Sequence, residues 1–557
     1  MRLLLVLVQT LDLLAGPQTA AEGVAYHQAR QRAEGAFAAG RAAEVEGLAD
    51  SLARVYPRDH RNWHLLARLK ASLGRHDEAA AAYQRVGAIV GWRSPYHYPG
   101  VMTAVQRLAA GDRAGALDEL RRELDERRNF YVRSAVFGWP GLAALQADTQ
   151  FLRIVGRPDV AGLARDDRWR ADLDFLVAEL TRVSPDYHDA PLPAEFTRRV
   201  AALRAAIPRL SDDELLVGMN RALAALGLAH TAVFPRPGSG RLPVRPYAFP
   251  DGVYIVEADA AHRDLVGTRL VAVGGTPVDS ALRLLGAHRN VSGPMMHVWG
   301  AADLASTPHL RGTRVIGGGD TTTLTVRGRD GRTRTVRVPT DGPGLPGRQD
   351  RLVAPPGAEA PLFLRALDQS HWDAPLPGHD AHYVQLNQVR PDPDETVAQF
   401  GLRLRRVLAE RRPRHLVLDL RHNNCGATGS YPELLRTLVA YTTQPDARLY
   451  VLIGRRVFSA TANLVTDLER LARPVFVGEP TSACCDFAGD PNAATLPYSR
   501  LGVELASVRW NLAFDVYDAR RELVPDVPVQ LDAASYFAGR DPAMDAVLAL
   551  IRGAGAR

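Results

Sequence analysis

The sequence predicts a multidomain α/β protein: N-terminal helical repeats, a helical segment, a β-rich insertion and a C-terminal βαβ core. Three observations carry that prediction. The chain has 557 residues, more than one hydrophobic core organises. Helix-terminating glycines recur at nearly even spacing near the N-terminus. Close to the C-terminus, three short apolar runs alternate with helix-periodic segments, the pattern of a parallel sheet with right-handed crossovers. Apolar content of 46% with 23% charged residues is globular and excludes a disordered chain.

Met1 to Leu14 has a positive start and a short apolar run, with small residues at Ala20 and Ala21. Residues 1–22 therefore read as a signal peptide, which implies a secreted or periplasmic protein. A first amphipathic helix of a cytoplasmic protein is the alternative. No other segment is long and apolar enough to span a bilayer. Residues 23–155 read as helical repeats. Gly40, Gly74 and Gly111 each punctuate a helix–turn–helix, at separations of 34 and 37 residues, close to the tetratricopeptide period. Trp63, Ala67, Ala79 and Tyr83 fall near that repeat's packing positions. Stacked helix pairs of this kind bind peptides or proteins, so a protein partner is expected here; a plain helical spacer is the alternative.

Residues 160–240 continue as helices. Residues 241–340 read as β-rich: Asp251 to Glu257 alternates, and Asp320 to Val338 has a hairpin shape around Asp330-Gly331. Gly267-Thr-Arg-Leu-Val-Ala-Val-Gly-Gly275-Thr-Pro-Val resembles the second half of a PDZ domain. Such modules capture extended peptide C-termini by strand addition, and a simple β insertion is the alternative. Residues 341–360, rich in glycine and proline, read as a linker or exposed loop.

The core, 361–552, is the most informative part. Leu416-Val-Leu-Asp-Leu420 has the composition of a strand buried on both faces. A turn-rich stretch follows. A helix is expected to open at Ser430, because Ser430-Tyr-Pro-Glu433 has capping-box spacing with proline in the first turn. Leu434, Leu435, Leu438 and Val439 form its apolar face. A second strand is expected at 449–453, and a helix after Ser459 with Leu464, Leu468 and Leu471 on one side. Pro474 to Gly478 completes βαβαβ. In such sheets, sites form where strands end and helices begin.

Ser459 then sits at a helix N-terminus, where free N–H groups and positive partial charge stabilise a developing oxyanion. The expected donors are the N–H of Ala460 and one from the Cys425-Gly426 turn on the neighbouring strand. A hydroxyl beside such a nest is what acyl transfer needs. The bland alternative makes Ser459 a helix cap.

Asp-Leu-Arg-x-Asn-x-x-Gly (419–426), Phe-Ser-Ala-x-x-Asn (458–463) and Val-Gly-Glu-Pro-Thr481 together resemble the C-terminal-processing and tricorn-type serine peptidase family. Arg168 to Leu176, Ala229-His-Thr231, Leu496 to Ser499 and Val524-Pro-Asp-Val-Pro528 extend the resemblance to the end of the chain. It implies a core similar to the Clp protease and crotonase fold, peptide or protein substrates, and hydrolysis through an acyl-enzyme. One branch of the family uses a lysine base about two dozen residues after the serine. Here Cys484 takes that position, and Lys70 is the only lysine in the chain. Arginine stays protonated and cannot substitute. The tricorn branch uses a histidine, which His230 matches. The unperturbed imidazole pKa near 6.5 suits a general base. The resemblance draws the orienting acid from Asp515, Asp518 and Glu522, with Asp518 preferred. It also departs from the family at Leu228-Ala229 and Cys425.

Net charge is +6, with arginines and acids interspersed, so no nucleic-acid stripe is expected. Cys425, Cys484 and Cys485 fit neither a zinc ribbon nor a Cys-x-x-Cys pair, and an odd count argues against a disulfide scaffold. No phosphate-binding loop, dinucleotide fingerprint or His-Glu-x-x-His is present. No metal and no cofactor are expected. Three other readings remain: a catalytically inactive relative that binds peptide or ligand, a repeat-domain adaptor, and an acyl-CoA enzyme of crotonase type.

Overall fold

The computed structural model describes residues 20–91, 98–126, 133, 135–289, 293–512 and 518–554. Most of the expected signal peptide, and Asp515, lie outside the described residues. The chain divides into two compact units: Met1–Val183 with Asn492–Tyr498, and Ser184–Pro491 with Ser499–Arg557.

The first unit is helical: α1 (Ala20–Ala38), α2 (Ala42–Val55), α3 (His60–Ser72), α4 (His76–Val90), α5 (Pro99–Ala109), α6 (Arg113–Arg121), α7 (Thr149–Ile154) and α8 (Arg165–Val183). From α1 to α6 each helix packs on the next. Gly40, Gly74 and Gly111 all have left-handed φ, at 75°, 73° and 87°, which ends one helix and starts the next. Asp112 caps α6 after Gly111, and Asp59 caps α3. Ala67, Ala79 and Tyr83 are buried, and Trp63 packs on the edge of that cluster. The lysine amine of Lys70 is held inside this unit by Glu46 and by Glu78 at 3.1 Å.

The second unit opens with α9 (Ala194–Ala206), α10 (Asp212–Ala224) and β1 (Ala232–Phe234). A capping box between Ser211 and Glu214 starts α10. The β-rich segment contains β2 (Val244–Phe249), β3 (Gly252–Ala258), β4 (Arg269–Val273), β5 (Thr276–Pro277), β6 (Thr321–Arg327) and β7 (Thr333–Pro339). These form one sheet in the order β2-β3-β4-β6-β7, with β5 on β4. β6 and β7 pair antiparallel around Asp330-Gly331. Three helices interrupt the strands: α11 (Val278–Gly286), α12 (Gly293–Asp303) and α13 (Thr307–Gly312).

The core sheet holds β8 (His371–Pro375), β9 (Ala381–Leu386), β10 (His415–Asp419), β11 (Arg448–Ile453), β12 (Val475–Gly478) and β15 (Val527–Pro528), in the order β15-β12-β11-β10-β9-β8. Its pairings are parallel except at the β8 edge. Helices α14 (Val397–Arg411), α15 (Pro432–Thr442) and α16 (Ala460–Leu471) form the crossovers, and α17 (Ala533–Phe537) and α18 (Pro542–Ala554) close the chain. β10 is buried at every position. Its Asp419 is neutralised by Arg421, which also bonds Asp541 at the start of α18 at 2.7 and 2.8 Å. The Asp-Leu-Arg motif is thus a buried tie between the sheet and the last helix.

Several sequence expectations need correction here. Ser430 does not cap α15: it lies in a 3-10 turn, and the helix begins at Pro432 with no side-chain cap. Leu471 is exposed, although Leu464 and Leu468 are buried. The expected linker, 341–360, is partly core, since Leu352 is buried and Asp350 pairs with Arg456. Neighbouring Cys484 and Cys485 are joined by a disulfide that the sequence reading did not foresee, leaving Cys425 free.

Candidate active site

Ser459 precedes α16 with φ 58° and ψ −132°, a conformation that costs a non-glycine residue about 1–3 kcal/mol. A capping serine would turn its oxygen onto the second or third amide of the helix. Ser459 makes no such bond, so the hydroxyl remains available. Ala460 supplies the first helical N–H, which has no acceptor within its own helix.

The second turn lies beside the first. Asn463, one turn into α16, donates from Nδ2 to Thr428 Oγ1 at 2.9 Å, tying the serine helix to the Cys425-Gly426 segment. That segment is paired with Val389: Val389 N donates to Cys425 O at 3.1 Å, and Ala427 N donates to Val389 O at 3.0 Å. A Cβ at Gly426 would lie 2.4 Å from Val389 O, so only glycine allows this approach. Asn463 belongs to the Phe-Ser-Ala-x-x-Asn motif, yet the sequence suggested no task for it.

His230 is held from three sides. Its φ of 56° is also left-handed. β1 pairs antiparallel with β14 (Gly502–Asn511), which lies next to β13 (Asp486–Thr495) in a three-stranded sheet. Ala506 N on β14 donates to Thr231 Oγ1 at 3.2 Å. From α10, Asn220 grips Val233 twice: Nδ2 donates to Val233 O at 2.7 Å and Oδ1 accepts from Val233 N at 2.8 Å. The imidazole stacks on Phe458, the residue before the serine, with ring centres 4.4 Å apart.

Nδ1 of His230 lies 3.1 Å from Ala488 O. A carbonyl only accepts, so Nδ1 carries the proton and Nε2 presents its lone pair. Nε2 has no hydrogen-bond partner among the described residues, and no hydrogen bond joins it to the Ser459 hydroxyl. Phe458 and Phe487 both stack on the ring, and they belong to an apolar cluster with Met295 and Val298. Burial in this apolar shell lowers its pKa to about 4, a drop that the Ala488 carbonyl partly opposes.

The acid expected to orient the base does something else. Asp518 accepts from Arg520 at 2.7 Å, and Arg520 also reaches both oxygens of Glu469 at 2.8 Å. The Arg520 hydrogen bond holds the Asp518 carboxyl below its ordinary range. The backbone carbonyl of Ala488 has the orienting position, and no side-chain letter announces a carbonyl. Asp518 nevertheless lines, with Ala229, Phe458, Cys484 and Ala488, a cavity of about 230 Å³. Cys484, Cys485 and Asp518 also bring two sulfurs and an oxygen within 4.8 Å of one another. With the sulfurs bonded together, neither is the thiolate that a metal ion would require.

No protein-family model matches the sequence, and no curated protein matches it. Solved structures do. Mature CPAF complexed with lactacystin aligns with a TM-score of 0.51 and 14% identity, over 70% of this chain and 99% of that one. Mature CPAF gives 0.50 and 14%, over 69% and 98%. The photosystem II D1 C-terminal processing protease aligns at 16% identity over 68% and 99%, but its TM-score of 0.33 carries no weight. The likeness to mature CPAF is one of fold.

Proposed function

We propose that this chain, which shares its fold with C-terminal-processing-type peptidases, is a serine endopeptidase working through a Ser459–His230 acyl-enzyme mechanism. The observation that carries the reading is the paired arrangement of two left-handed residues: an uncapped hydroxyl at a helix start, and an imidazole whose Nδ1 proton is already committed. Nε2 takes the Ser459 proton as Oγ attacks a peptide carbonyl. The oxyanion is stabilised by the N–H groups of Ala460 and the Cys425-Gly426 turn, each worth roughly a hundred- to a thousandfold in rate. The imidazolium then protonates the leaving amine, and water releases the acyl group by the reverse path. Closing the Ser459–His230 contact is assigned to substrate binding, since catalytic hydrogen bonds tighten in the substrate complex. Asp518 acts at longer range, as a cavity carboxylate whose charge Arg520 shares.

In the same reading the sheet β2–β7 is a PDZ-type module that captures an extended peptide end, and helices α1–α6 are tetratricopeptide-type repeats that hold a protein partner. Secretion or export to the periplasm fits a peptidase of this kind. No helix among the described residues is long and apolar enough to cross a membrane. The missing Ser459–His230 hydrogen bond favours one second reading, an inactive relative that binds peptide. A fluorophosphonate probe separates the two. Covalent labelling of Ser459 in the wild type, and loss of casein hydrolysis by at least a thousandfold in a folded Ser459→Ala variant, are the expected results. Hydrolysis at the wild-type rate in that variant rejects the proposal.

A further inference from the structure

A third left-handed residue belongs to the same neighbourhood: Cys485, with φ 69°. Cys484 and Cys485 are buried and bonded to each other, and Cys484 lines the cavity beside Ala488 and Phe458. The segment they belong to touches both halves of the site. Upstream, Ser482 N donates to Val457 O at 2.9 Å, two residues before Ser459. Downstream, three residues after Cys485, Ala488 presents the carbonyl that accepts from His230. Two more backbone bonds fix the cysteines: Asp486 N to Cys484 O at 2.8 Å, and Leu512 N to Cys485 O at 3.2 Å. A bond between adjacent cysteines closes an eight-membered ring that contains their peptide. That ring holds Cys485 in a conformation which an L-residue otherwise leaves.

We propose that Cys484 and Cys485 form a thiol–disulfide control site on this cavity, cleaved by small dithiols, whose oxidised form holds the Ala488 carbonyl against His230. The consequence for hydrolysis rests on the serine peptidase reading; the chemistry of the pair does not. A dithiol enters the cavity as a thiolate and attacks Sγ of Cys484, the cysteine of the pair that lines it. The S–S bond breaks and its electron pair leaves on Cys485 Sγ, next to Arg520 Nη2 at 3.7 Å. That guanidinium stabilises the departing thiolate, while Asp518 and Glu469, which share it, oppose the charge. The second sulfur of the reductant then displaces Cys484 from the mixed disulfide. Two electrons pass to the protein, which ends with two thiols, and the reductant leaves as a cyclic disulfide. Glutathione disulfide reverses the exchange. Once reduced, Cys485 relaxes from positive φ, and the 485–490 segment shifts away from the imidazole.

The test uses the full-length protein. Alkylation with iodoacetamide in denaturant, read by intact mass, is expected to modify one thiol, Cys425, before reduction and all three after dithiothreitol. Three modified thiols without reductant overturn the proposal. Reduction of the native protein is expected to raise amide hydrogen exchange at least tenfold at Asp486, Ala488 and Leu512; unchanged exchange after complete reduction also overturns it. Fluorophosphonate labelling of Ser459 is expected to fall at least tenfold on reduction and to recover with glutathione disulfide. In C484S/C485S, labelling no longer responds to reductant, whereas C425S responds like the wild type. Labelling that ignores the redox state of the wild type rejects the control of His230. If neither state labels at all, the peptidase reading fails, and the thiol count and hydrogen exchange still decide the redox site.

Discussion

Ser459 takes its place from elements close in sequence: two adjacent parallel strands, the turns that leave them, and α16. His230 is fixed by contacts across the whole unit. Its ring bonds Ala488, 258 residues further on, and Thr231 accepts from Ala506 at a separation of 275. Both residues end up with left-handed backbones, at φ 58° and 56°. The seat of the proposed nucleophile can be written locally, as buried strand, tight turn and helix start. The seat of the proposed base is a tertiary product, and a change far from either residue can dismantle it.

Four experiments probe that contrast. The largest effect is expected for His230→Ala, which should lower kcat/KM by about a hundred- to ten-thousandfold while leaving the Ser459 turn folded. Retained activity would show that another base serves. In the wild type, the acid limb of kcat/KM is expected near pH 4 instead of near 6.5, because burial lowers the imidazole pKa to about 4.

Stability against pH gives the next effect. An unfolded imidazole takes up its proton near pH 6.5 and the folded one near 4, so between those values the unfolded chain holds more protons. Stability from this group, complete above pH 6.5, is therefore lost as the pH falls towards 4, on the order of 3 kcal/mol in all. Comparing denaturant melts of wild type and His230→Gln isolates it, since other buried histidines such as His309 are common to both. An identical pH slope in the two proteins would contradict the buried neutral imidazole.

Asn220→Ala comes third. It strips both polar groups of Val233 of their partner and is expected to destabilise the protein by about 2–4 kcal/mol. Below its melting temperature it should reduce kcat more than it raises KM, because it loosens the base and not the peptide contacts. Equal effects on both constants would argue against a positioning role. The smallest effect belongs to Ser459→Gly. Glycine adopts positive φ without penalty, so the variant should be inactive but about 1 kcal/mol more stable than Ser459→Ala. Indistinguishable melting temperatures would mean that the turn stores no strain.

The same contrast governs what could be read from the sequence. β10, β11 and β12 were legible because each is a continuous apolar run. β9, Ala-His-Tyr-Val-Gln-Leu, was not: it looks half-polar but is buried throughout. Each of its polar side chains has a partner, His382 Nε2 with Asp373 at 2.7 Å, Tyr383 with Asp419 at 2.8 Å and Gln385 with Phe363 O at 3.0 Å. The Ser430 cap failed because Pro432 starts α15 two residues later, so the expected spacing frames no helix start. Motif order singled out Ser459 and His230, and the structure gives both left-handed backbones. Asn220 was not legible, as one polar residue among the buried apolar positions of α10 carries no distinctive pattern, and Ala488 contributes only a peptide oxygen. Asp518 had the right neighbourhood, but the Arg520–Glu469 pair competes for its charge.

Holding the imidazole with a peptide carbonyl also changes how the site tolerates its surroundings. A carboxylate lets go of its ring once it is itself neutralised by acid, and its pull weakens as ionic strength rises. An amide oxygen does neither. The alignment of His230 should therefore persist in brine, where an aspartate-dependent arrangement would loosen.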